Sequence, residues 1–116
     1  MSATDAQHAT AQQTLTPSAW VTRFAPLIKP GGQVLDLACG HGRHARHLAA
    51  IGHSVLAVDR DEAALATLEA VVGIETRVAD LEQGAWPFGA LRFDAIIVTH
   101  YLHRPLFYYK YLLINV

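Results

Sequence analysis

Hydrophobic and polar positions change their spacing several times along the chain, and each change marks an element. Residues 1–14 (MSATDAQHATAQQT) are polar and aperiodic, which predicts a disordered lead-in ahead of one folded domain over 15–116. From Thr16, Pro17 and Ser18 onward the spacing turns helical. Two hydroxyl residues and a proline suited to a first turn precede Trp20, Val21, Phe24, Leu27 and Ile28. A short helix is predicted there, ending near Pro26, with Pro30, Gly31 and Gly32 as the turn beyond it.

Strand and helix then alternate. Residues 34–38 (VLDLA) form a short, mostly apolar strand, and Gly40, His41 and Gly42 a sharp turn into a helix over about 43–50, closed by Ile51 and Gly52. Residues 54–58 (SVLAV) give a second strand ending at Asp59. Asp61 can cap a second helix with Ala64, Leu65, Leu68 and Val71 on its inner face, and Gly73 stops it. A weaker strand over 75–79 ends at Asp80, and 93–99 (FDAIIVT) is a fourth with an apolar centre. Strands separated by helices of this length predict an α/β fold: a Rossmann-like parallel sheet with helices on both faces, because parallel neighbours need crossover connections.

Composition narrows the possibilities. One domain fits in 116 residues, and 52% hydrophobic with 16% charged residues is ample for a core. Nine Lys and Arg against ten Asp and Glu leave a net charge of -1, so no nucleic-acid partner is expected. The single cysteine, Cys39, excludes an intrachain disulfide framework and a multi-cysteine zinc site, which fits a reducing, cytoplasmic setting. No Lys or Arg precedes Arg23, so neither a signal nor a transit peptide is expected. No apolar run approaches the roughly 20 residues of a membrane span either.

In an open α/β sheet the ligand sits at the carboxyl ends of the strands. Here those ends carry Asp36 ahead of the glycine turn, Asp59, Asp80, and Thr99 with His100. One strand-end aspartate is an ordinary loop acid or helix cap; three at equivalent places beside a glycine turn point to a ligand. Gly40 and Gly42 let the backbone turn tightly and a ligand approach it, while the next helix offers free N–H groups. Gly40, Gly42 and Ala45 would also pass as a dinucleotide fingerprint with Asp59 as its ribose acid. Asp36 separates the two: it would repel a pyrophosphate and suits ammonium and sulfonium cations, which favours S-adenosylmethionine over NAD.

Residues 34–42 (VLDLACGHG), VLAVD at 55–59, VADLEQGAWPF at 78–88 and FDAIIVTHYLHRP at 93–105 resemble the successive motifs of class I S-adenosylmethionine-dependent methyltransferases, small stand-alone bacterial ones in particular. The resemblance covers about residues 17–106. It implies S-adenosyl-L-methionine as cofactor and methyl transfer to a small-molecule acceptor. It also implies that Asp36, with Ala38, Cys39, Gly40, His41 and Gly42, lines the methionine and sulfonium region. Asp59 would bond both ribose hydroxyls with Arg60 beside it, Asp80 and Leu81 would meet the adenine, and Thr99 and His100 the amino group. Two departures stand out. THYL at 99–102 replaces the Asn/Asp-Pro-Pro-aromatic signature of many amino-methyltransferases, so methylation of DNA or protein amino groups is not implied. The family's fold has seven strands, and about four are expected here. A nucleotide-binding domain of the NAD type and a non-catalytic cofactor-binding fragment are the alternatives.

The remaining candidates are read more plainly. His41, His44 and His47 do not converge on one helix face, since His47 lies some 240° round from His41 at about 100° per residue, so no metal is expected. Arg43, His44, Arg46 and His47 are expected on the solvated face, with His41 at the ligand. His100 is the candidate catalytic base, ahead of Tyr101 and His103. Cys39 is expected to pack under the turn rather than act as a nucleophile. Trp20 and Trp86 are expected either in the core or bordering the pocket. The tail, 106–116 (LFYYKYLLINV), is apolar or aromatic at nine of eleven positions and fits a strand better than the expected helix. A truncation or frame shift near Phe107 is expected from it. So are a fourth strand left at the sheet edge and self-association through that edge.

Overall fold

The computed structural model describes residues 16–80, 88 and 91–98, and the backbone of 112–115. The lead-in, Leu81, Trp86, Thr99, His100, Tyr101 and His103 lie outside the described residues. Ser18 opens helix α1 (Ala19–Phe24): its hydroxyl accepts the Val21 N–H at 3.1 Å. Pro26 has no N–H to continue the ladder, and the chain tightens into a 3-10 turn, Ala25–Leu27. The order continues β1 (Gln33–Leu37), α2 (Arg43–Ala50), β2 (Ser54–Asp59), α3 (Glu62–Ala66), β3 (Ile74–Val78), β4 (Ala95–Val98) and β5 (Leu112–Asn115). Asp61 caps α3 through one carboxylate oxygen, which accepts the Ala63 and Ala64 N–H groups at 2.9 and 3.2 Å. This helix is shorter than its apolar spacing predicts. The Thr67 hydroxyl donates to the Ala64 carbonyl at 2.6 Å, and Leu68 is buried from the turns that follow.

The strands form one sheet in the order β3-β2-β1-β4-β5, every pair parallel. Four strands follow the predicted sequence, and the tail supplies a fifth. Because β5 pairs with β4 along Ala95–Val98, β4 is not the sheet edge, and the tail's partner is its own chain. From β1 the chain steps outward to β2 and β3, then crosses to the other side of β1 as β4. The order therefore reverses between β1 and β4, where an open parallel sheet leaves its ligand crevice.

Strand parity sets two faces. Val34, Val55, Ala57, Ala95 and Ile97 face Val21, Ala25 and Ile28 from the α1 region, Ala45 and Leu48 from α2, and Leu65 and Leu68 from the α3 region. All three described helices thus cover one face. Burying Leu48 and Leu68 completely contributes about 1.5–3 kcal/mol each. On the other face Leu35, Leu37, Leu56, Val58, Ile96 and Val98 are buried with Phe88, beside Ala79 and Phe93. Trp20 is 49% exposed and stacks at a tilt on Phe24, 4.6 Å between centroids, so it is not a core residue.

Candidate functional site

The ends of β1 and β2 bring most of the expected residues together. Asp36 shares the parity of Val34, which turns it toward the helix-covered face beneath the first turn of α2. It is fully buried, and neither carboxylate oxygen has a hydrogen-bond partner. Burial raises its pKa to about 7. The Ala45 N–H pulls the other way without reaching hydrogen-bond geometry, the Asp59 carboxylate raises the pKa further and the Arg43 guanidinium lowers it.

The chain leaves β1 through a left-handed turn. Ala38 has φ +55°, Gly40 +57° and Gly42 +78°. The two glycines meet different needs. A Cβ on Gly40 would touch nothing within 4 Å, so the backbone there faces open space that a ligand can enter. A Cβ on Gly42 would stand 2.6 and 2.8 Å from the Leu68 methyl carbons, so this glycine lets the α3 region pack against the turn. Ala38 is exposed and holds the left-handed conformation without glycine's freedom.

Asp59, the last residue of β2, ties the turn in place. One oxygen accepts the Gly40 N–H at 2.8 Å and the other the Asp61 N–H at 2.9 Å. Each oxygen keeps a second acceptor position. Cys39 donates its N–H to the Val58 carbonyl at 3.0 Å and is half-buried against the core. Burial, followed by the Asp36 and Asp59 charges, raises its thiol pKa, so it stays a neutral packing group as expected. His41 and Arg60 are exposed beside the turn, and Asp80 is exposed two residues beyond β3. Leu37 pairs with Val98, so β4 ends at the same edge of the sheet as Asp36 and Asp59.

Two residues expected on the solvated face do something else. His44 is buried, and its Nε2 accepts the Ser18 N–H at 3.3 Å, which fastens the start of α1 to α2. Burial pushes its pKa down to about 4, with the Arg43 and His47 charges adding to the shift, so it remains the neutral acceptor this bond requires. The spacing carried a signal: His44 and Leu48 are four apart and share the buried face of α2. Arg46 bridges the turn to the end of the α3 region. Its Nε donates to the His41 carbonyl at 3.1 Å, and its terminal nitrogen donates to the Thr67 carbonyl at 2.9 Å and hydroxyl at 3.4 Å. No sequence spacing announces that bridge. Among the described residues no group of three or more His, Cys, Asp or Glu is placed to hold a metal ion, and no helix is long and apolar enough to cross a membrane.

Residues 34–109, more than half the chain, match the model of the methyltransferase domain family. The chain belongs to that family. An uncharacterized methyltransferase of Synechocystis sp. (strain PCC 6803) is 37% identical over 77 residues, 66% of this chain. The chain spans about a third of that relative's length, 36%. Among solved methyltransferase structures, the fold resembles a TehB-like SAM-dependent methyltransferase from Corynebacterium glutamicum. The TM-score is 0.63 at 23% identity, covering 81% of this chain and 52% of that one. It also resembles an S-adenosylmethionine dependent methyltransferase from Mesorhizobium loti, with TM-score 0.56 at 30% identity over 68% of this chain and 37% of that one.

Proposed function

We propose that the chain binds S-adenosylmethionine at the carboxyl edge of its sheet and serves methyl transfer to a small-molecule acceptor. The observation that carries this reading is Asp36, a buried carboxylate with no donor of its own, set beneath a turn that is open at Gly40. A site of that charge suits a cationic ligand and disfavours the pyrophosphate of a dinucleotide. The names of the relatives and family membership support the same cofactor. When bound, the cofactor supplies a methyl carbon on a positively charged sulfur.

The chain's own residues then have distinct tasks. The free acceptor positions of Asp59 take the ribose hydroxyls, with Arg60 beside them, while Gly40 and His41 bring backbone close to the ligand. Ala38, Cys39 and Gly42 shape the turn, and Asp80 with Leu81 meets the adenine. Thr99 meets the amino group, and an imidazole nitrogen of His100 takes a proton from the acceptor. That last role predicts that His100→Ala lowers turnover far more than cofactor affinity. A cytoplasmic setting and self-association at an edge of the sheet belong to the same proposal.

Titration calorimetry of the full chain against S-adenosylmethionine, S-adenosylhomocysteine and NAD tests the reading. Binding of the two sulfur ligands is expected, and Asp59→Ala should weaken it about ten- to a hundredfold, the worth of charge-assisted bonds of roughly 1.5–3 kcal/mol. Binding of NAD with no response to either sulfur ligand would overturn it.

A further inference from the structure

Among the described residues Asp36 is the only buried side chain whose polar atoms have no hydrogen-bond partner. A carboxylate in that position is normally met by donors, because an unanswered buried charge is costly. The groups that face it do not pair with it, and the Ala45 N–H of α2 favours its charge without reaching hydrogen-bond geometry. Asp59 from β2 adds like charge, and Arg43 at the start of α2 adds opposite charge without an ion pair to Asp36. Cys39 from the turn is held neutral, and the flanking strands offer only Ala57 and Ile97 in register. Such a group acts on whatever enters the crevice through its field, strengthened by the low-dielectric surroundings.

The substrate and product forms of the cofactor differ by one methyl group and one positive charge. We propose that Asp36 is the residue that distinguishes the sulfonium cofactor from its thioether product, releasing its proton to solvent when the positive charge enters the crevice and regaining it when that charge is gone. This rests on the S-adenosylmethionine reading above. It assigns Asp36 a positioning and selecting role without ligand contact, since both oxygens are covered by protein. The consequence is product release: once the methyl group has left, the site returns to its neutral state and no longer favours what remains.

Calorimetry on the full chain tests this, with S-adenosylmethionine and S-adenosylhomocysteine titrated at about pH 6 and about pH 8 and, near pH 7, in two buffers of different ionisation enthalpy. The ratio of the homocysteine Kd to the methionine Kd is expected to rise about five- to tenfold across that range. Proton release, read from the buffer dependence, is expected to be larger for the sulfonium ligand. The ligands' own α-amines titrate as well, but that contribution persists in Asp36→Asn, where the Asp36 effect is expected to vanish. If Asp36→Asn does not fold, the two wild-type buffer slopes decide. A ratio that does not change with pH, with equal proton release for both ligands, overturns the proposal while leaving the cofactor reading intact. A chain that binds neither ligand overturns both.

Discussion

The two edges of the sheet are built to opposite rules. At the amino edge polar groups answer one another. Asp94 accepts the Gln33 N–H at 2.8 Å through its carboxylate and donates its own N–H to the Gln33 carbonyl at 2.7 Å. His53 accepts the Gly32 N–H at 3.2 Å, and the Ser54 N–H reaches the Gly32 carbonyl at 3.1 Å. At the carboxyl edge, β1 carries a buried carboxylate with no partner one residue before its end and is followed by an alanine in the left-handed region. The fold is stapled at one edge, while charge and strain are kept at the other. Unanswered charge and strained backbone concentrate where a ligand completes them.

The largest effect that would test this contrast lies inside the turn. Gly42→Ala should destabilise the chain by about 2–5 kcal/mol, from the left-handed φ of +78° together with the overlap on Leu68. Gly40→Ala meets open space and should lose only the conformational part, about 0.5–1 kcal/mol once the lower entropy of the unfolded alanine chain is set against the strain, yet it fills the place left for a ligand. Denaturant midpoints and cofactor affinities of the pair should therefore rank in opposite orders once stability is allowed for. Equal stability losses would mean that Leu68 yields and that the turn is not packed as described.

Next in size is the pH dependence of stability. Asp36 has its pKa raised from 3.8 to about 7. Below 3.8 it is protonated in both folded and unfolded chains and its contribution is fully present. As pH rises toward 7 the unfolded chain ionises first, so stability falls, by up to about 4 kcal/mol, and levels off above 7. His44 runs the other way. Its depressed pKa removes stability as pH falls from about 6.5 toward about 4. Asp36→Asn should flatten the fall between pH 3.8 and about 7 and raise the melting temperature near pH 8, although the amide's unpaired N–H groups take back part of the gain. A melting temperature unchanged near pH 8, with the fall between pH 3.8 and about 7 still present in the variant, would show that Asp36 is already ionised at no cost.

At the amino edge, Asp94→Ala should lose about 1–2 kcal/mol by leaving the Gln33 N–H without its carboxylate. Cofactor affinity of the folded protein should not change, because the staple lies at the far end of β1. Urea unfolding alongside calorimetry checks both halves. A loss of affinity comparable with the loss of stability would couple the two edges and end the contrast.

The strand ends and the glycine turn were legible in the sequence because local chemistry specifies them. Asp61 caps α3 and Asp59 closes β2, and each lies where the apolar spacing stops. The tail's β-prone composition was legible too, but its partner was not, since pairing β5 with β4 is a long-range choice that no local spacing encodes. The same holds for Arg46 with Thr67, 21 residues apart, and for His44 with Ser18, 26 apart. A polar residue on an amphipathic helix looks solvated until another element covers it. The burial of Asp36 without a donor was likewise invisible: the sequence marks a carboxylate at a strand end, and only the packing of α2 over it makes that charge unusual.

The smallest predicted effect concerns Ala38. An alanine at φ +55° carries about 1–2 kcal/mol of conformational strain, and the residue is exposed, so no burial of its methyl group offsets it. Glycine adopts the same backbone freely but gains entropy in the unfolded chain, which subtracts from the relief. Ala38→Gly should therefore raise the unfolding midpoint by an amount corresponding to about 0.5–1 kcal/mol. If the strain serves the site, the more stable variant should bind cofactor more weakly, because a freer turn must be ordered again on binding. Asp94 supplies the control, since a loss there lowers stability with affinity unchanged, whereas Ala38→Gly should raise stability and lower affinity. A variant at once more stable and equally tight would show the strain at Ala38 to be incidental. The two edges would then differ only in the unanswered charge of Asp36.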